Sequence, residues 1–157
     1  MNPGTFISIL IFLTATVALY KNRAWIVRKL LSTKIPLLLT FLITAAISIA
    51  FEEQINCHPN WCYQVLFPPT LIPILLQVSI VGILTKLLGL KSILWPTLVF
   101  VLFGIWFEFY QGGLKGLSLQ PELFFWIIWV GLSYAFVVIV PLTLLAMSAK
   151  QQKNSKL

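Results

Sequence analysis

Long apolar runs, nearly empty of charge, are separated along this chain by short basic segments. That pattern constrains the fold more than any motif. Crossing the ~30 Å hydrocarbon layer takes about 20 mostly apolar residues in a helix, with a range of ~17–25. Five runs meet or approach that length, over about 5–20, 35–51, 68–88, 92–110 and 122–147. Of the 157 residues, 59% are hydrophobic and 10% charged. Soluble domains carry about 25% charged residues. The composition therefore excludes a soluble globular domain, a disordered chain and a fibrous repeat. The expected fold is all-α: a polytopic membrane bundle of five transmembrane helices. It would form a single transmembrane domain over 1–149, followed by a basic cytoplasmic tail over 150–157.

The first run differs from a cleavable signal. Such signals carry positive charge before the apolar core and a small-residue cleavage site after it. Met1 to Leu19 contains no Lys or Arg, and the charges follow instead. The run is expected to stay as a helix.

Orientation follows from the cations, because cytoplasmic loops are enriched in Lys and Arg. Lys21, Arg23, Arg28, Lys29 and Lys34 separate runs one and two. Lys86 and Lys91 lie between runs three and four, and Lys150, Lys153 and Lys156 follow run five. Five spans put these ten of the 11 basic residues on one side, with Lys115 and all four Glu opposite. A four-span arrangement breaks that segregation. The N-terminus is expected outside and the C-terminus in the cytoplasm. A prokaryotic plasma membrane or an internal bacterial membrane is the expected location.

The net charge of +7 does not indicate nucleic acid, which needs a wet, clustered basic surface. Membrane lipids are the expected partners, together with other integral membrane proteins. Within Lys21–Lys34, Trp25, Ile26, Leu30 and Leu31 recur at helical spacing around Arg28 and Lys29. That suits either an amphipathic segment in the headgroup layer or an ordinary positive-inside loop. Trp95, Trp106, Tyr110, Trp126 and Trp129 sit near run ends, where amphipathic rings anchor at the interface.

Chemistry is expected at the outer end. Glu52, Glu53, Glu108, Glu122 and His58 all fall near that face. Glu108 ends a 16-residue uncharged stretch from Ser92 to Phe107, so a full span must bring it to the boundary. Ionisable groups at such depth usually face the bundle interior. Thr40, Thr44, Ser48 and Glu52 are spaced by four and share one helix face. They read as a polar path toward Glu52 or as a small-residue packing seam. Gln77 and Thr44 sit at similar depths, and a hydrogen bond between them is expected. Glu108, Glu52 and Gln77 are the transport or proton candidates. Gly104 with Glu108, and Gly131 with Ala135, have spacing for close helix contact. Pro141 is expected to kink run five.

Cys57 and Cys62 flank His58-Pro59-Asn60-Trp61. Pro-Asn favours a turn, so an outer-side disulfide is expected, joining the ends of the loop between runs two and three. No metal site and no cofactor are expected. There is no phosphate loop or zincin helix, and no Gly-x-Ser-x-Gly elbow. Gly131-Leu132-Ser133 has no helical His to act with, since His58 is the sole histidine.

This poverty of polar groups leads to the expected function: a non-catalytic integral-membrane subunit or assembly factor. The alternatives are a small transporter or channel component using the outer carboxylates, and a membrane enzyme acting on a lipid or isoprenoid.

Overall fold

The computed structural model describes residues 3–57, 68–90, 92–110 and 122–154. They form five α-helices: α1 (Pro3–Leu31), α2 (Leu37–Asn56), α3 (Pro68–Leu87), α4 (Leu94–Tyr110) and α5 (Glu122–Asn154). Three of them are long and apolar enough to cross a membrane, over Phe6–Leu31, Leu37–Asn56 and Leu123–Ala149. Two shorter apolar helical stretches, Leu71–Leu87 and Leu94–Tyr110, complete the set.

Two helices outrun their apolar runs. α1 continues unbroken through Lys21, Arg23, Arg28 and Lys29 to Leu31. The amphipathic stretch is thus the end of α1 rather than a separate element. Its cations are good helix formers, and nothing between Tyr20 and Leu31 is a Gly or Pro that would stop the helix. α5 likewise passes Met147 and takes in Lys150 and Lys153 before ending at Asn154.

α5 is the axis of the bundle and packs against each of the other four helices. α1, α2, α3 and α4 follow one another around it, each touching the next. Among the described residues no contact joins α4 back to α1, so the ring is open there. The sequence of α5 suits the central place. Residues Val137, Val138, Ile139, Val140, Leu142 and Leu144 are all buried, and a helix apolar on every side belongs inside. Its β-branched run loses χ1 freedom in a helix, a small cost that burial on every side offsets. Pro141 is fully buried, and the helix runs on through it. Membrane helices tolerate an interior proline because surrounding helices and local adjustments satisfy the freed backbone groups.

The outer helices present apolar surface away from the axis. Leu38 is 70% exposed, Leu76 60% and Leu102 57%, which suits a lipid environment and not water. Close packing is therefore set by shape. On α3, a Cβ at Gly82 would stand 2.6 Å from the ring of Phe41 on α2. Beyond α3 the chain turns at Gly89, whose φ is +60°. Leu90 N–H donates to the Thr85 carbonyl and Gly89 N–H to that of Lys86, both at 3.1 Å. This pairing closes a helix C-terminus around a left-handed residue.

Candidate functional site

The polar stripe of α2 faces inward along its whole length. Thr40, Thr44, Ser48 and Glu52 are all buried, Glu52 at 6% exposure. The hydroxyls of the first two stay on their own helix. Thr40 donates to the Pro36 carbonyl at 3.1 Å, and Thr44 to those of Thr40 at 2.9 Å and Phe41 at 3.0 Å. The expected Thr44–Gln77 hydrogen bond is not made, because local back-bonding already satisfies the threonine. Among the described residues, Gln77 Oε1 on α3 is buried without a hydrogen-bond partner.

Glu52 behaves differently from the residues below it. Its Oε1 accepts from Asn56 Nδ2, one turn on, at 2.6 Å. The same oxygen accepts from Ser133 Oγ on α5. Next to Ser133 in sequence, Tyr134 donates its hydroxyl to Glu108 Oε1 on α4 at 3.3 Å. Successive helix residues point about 100° apart. Two neighbours on α5 thereby hold carboxyl groups from two different helices.

These groups surround a cavity of about 150 Å³, lined by Glu52, Glu53, Asn56, Glu108 and Tyr134 on its polar side. Ile74, Phe100 and Val137 close it on the apolar side. The floor is firm: Phe100 is fully buried, and its ring centroid is 5.4 Å from that of Tyr134. Gly104 makes room above Phe100, since any Cβ there would run into the Tyr134 ring. Ser133 lies seven residues beyond Trp126 on α5, about 10 Å along the axis at 1.5 Å per residue. The cavity is thus set well below that tryptophan.

Chemically, three carboxyl groups around one small space repel one another when all are ionised, and low polarity magnifies the effect. A proton or a cation among them relieves it. Among the described residues, no group of three His, Cys, Asp or Glu side chains is arranged to hold a metal ion. The Ser133 and Tyr134 hydroxyls donate to two of these carboxyl groups, and a proton can be shared among the three.

Of the sequence candidates, Glu52 and Glu108 meet at this cavity, and Glu53 joins them. Gln77 is not among its lining residues. Glu122 is the first residue of α5. Cys57 caps the end of α2; Cys62 and His58 lie outside the described residues. Sequence reasoning missed Ser133, Tyr134 and Asn56. A signal existed: Ser133 and Tyr134 are the sole hydroxyl side chains between Leu123 and Leu142. Gly131 is less constrained than its spacing suggested, for a Cβ there would meet Val101 at an ordinary 3.6 Å.

No family model matches the chain, and comparison with curated proteins and with solved structures gives no significant match.

Proposed function

We propose that this chain is a five-span membrane protein that works as a component of a membrane assembly and moves protons through its carboxyl cavity. The observation that carries the reading is Glu52, a carboxyl buried to 6% exposure that shares one small cavity with Glu53 and Glu108. Intramembrane carboxyls are costly, and they mark ion pathways and proton relays. α3 has 20 residues and α4 has 17, or about 30 Å and 26 Å of helix, which supports counting both as spans. The segregation of cations supports an outside N-terminus, a cytoplasmic C-terminus and a carboxyl cavity toward the outer face. A bacterial plasma or internal membrane is the proposed location.

The test is proton flux into liposomes containing the purified chain and an internal pH dye. Wild-type vesicles are expected to acidify under an imposed gradient, and Glu52→Gln and Glu108→Gln to slow this by about a hundredfold or more, the scale of losing one proton-transfer group. Flux equal to that of empty vesicles would remove the transport reading.

A purely structural subunit is the second reading. It is favoured by an aromatic row on the outside of α4. Phe103, Trp106 and Tyr110 are exposed, with ring centroids 5.7 and 5.4 Å apart. Aromatic anchors of this kind dominate contact energies at interfaces. Native-gel migration from the original membranes, with mass spectrometry of the band, decides it. A defined partner lost on Trp106→Ala supports the subunit reading, and a band holding this chain alone opposes it.

Cys57 and Cys62 are proposed as a disulfide on the outer side, supported by the turn-forming Pro59-Asn60 between them. Alkylation before and after reduction should differ by two thiols. Full alkylation without reductant would contradict the bridge.

A further inference from the structure

The opening between α1 and α4 is more than a gap. Two adjoining clefts lie in it, of about 440 and 300 Å³, and Tyr20, Ile93 and Leu94 line both. The larger one includes Arg23, Ser92 and Thr143. The smaller one lies one to two turns deeper, against Val17 of α1, Thr97 of α4, and Ala135 and Ile139 of α5. Lys21 and Thr16 also line the smaller cleft, so the cations Arg23 and Lys21 gather around the shared Tyr20, and only the far end, at Val17, Ala135 and Ile139, is apolar.

We propose that this cleft is a binding site for one anionic phospholipid, its phosphate at Arg23 and its acyl chain against α5. Charge complementarity carries the choice of occupant. The Arg23 guanidinium is stacked over the Tyr20 ring, 3.6 Å from its centroid, and donates to the Tyr20 carbonyl. These contacts fix its position on α1 while using few of its five N–H donors. Among the described residues no ion pair neutralises it or the adjacent Lys21. A guanidinium with donors to spare is suited to two-point recognition of phosphate. Thr97 adds an independent sign. Among the described residues its Oγ1 is buried without a hydrogen-bond partner, and it lines the deeper cleft one turn beyond Ile93, which both clefts share. A phospholipid places its ester carbonyls at that level, between phosphate and chain. A wholly apolar partner helix would leave both Arg23 and Thr97 unsatisfied, at a desolvation cost.

Native mass spectrometry of the full chain, with phosphatidylglycerol or phosphatidylcholine added at equal concentration, tests the site. Phosphatidylglycerol should be retained about thirtyfold better, as expected for two nearby cations at about 1 kcal/mol each. Arg23→Gln with Lys21→Gln should erase the preference, while Arg28→Gln with Lys29→Gln should leave it. Ala135→Phe should weaken retention of phosphatidylglycerol without changing any charge, because it fills the chain end. Thr97→Leu, on an outer helix, removes the hydroxyl offered to the ester carbonyls and should likewise weaken retention without changing any charge, which keeps the test open should Ala135→Phe fail to fold. Equal retention of the two lipids would overturn the proposal. So would an equal loss from the Arg28 and Lys29 pair, or cross-linking of Val17→Cys in native membranes to a polypeptide and not to lipid.

Discussion

Ser133 and Tyr134 illustrate how little sequence is needed to organise a polar site in an apolar bundle. One hydroxyl reaches Glu52 and the next reaches Glu108. Ser133→Ala should cost about 1–2 kcal/mol, the scale of an interhelical hydrogen bond in a membrane. Steric-trapping measurements of unfolding in bilayers read this directly. The glycines make a sharper contrast. Gly104→Ala would push a methyl into the Tyr134 ring, and overpacking of this kind costs about 1–3 kcal/mol. Gly131→Ala should stay within about 0.5 kcal/mol, the range of an unstrained substitution, because its surroundings leave normal contact distance. Equal effects at the two positions would show that the α4–α5 contact is not as close as described.

Among the helices, α5 bears the packing and the others surround it. Leu142 is fully buried on α5, whereas Leu102 of α4 is 57% exposed. Leu142→Ala should therefore destabilise by about 2–5 kcal/mol, as for other buried leucines. Leu102→Ala should fall well below that range, and the same unfolding assay compares them. The existence of the helices was legible from apolar run length, and the inward face of α2 from its four-residue spacing. Their ends were less legible: α1 and α5 continue into cationic segments because Lys and Arg favour helix and nothing there breaks it. The meeting of Glu52 with Glu108 depends on how α2 and α4 are rotated about α5. Spacing within one helix carries no information about that rotation. Gln77 was placed by depth alone, and depth does not fix which way a side chain faces.

For the molecule as a whole, the unequal distribution of charge determines the expected arrangement across the membrane. Alkaline phosphatase fused after Cys57 should be active, being exported, and the same enzyme fused after Lys34 or Leu90 should be inactive. The opposite pattern would invert the orientation and move the carboxyl cavity to the cytoplasmic side. The open ring and the cavity occupy different parts of the bundle, since Arg23 and Ser92 line one and Glu52 and Glu108 the other. Loss of lipid retention and loss of proton handling should therefore separate by mutation.

The central claim is that Glu52 and Glu108 share one proton-binding space. Proton uptake by the purified chain, followed potentiometrically for wild type, Glu52→Gln, Glu108→Gln and the double variant, tests it most directly. Interacting carboxyls titrate as a set. The losses of uptake in the two single variants should not add up to that of the double one. Independent, strictly additive titrations would contradict a shared site.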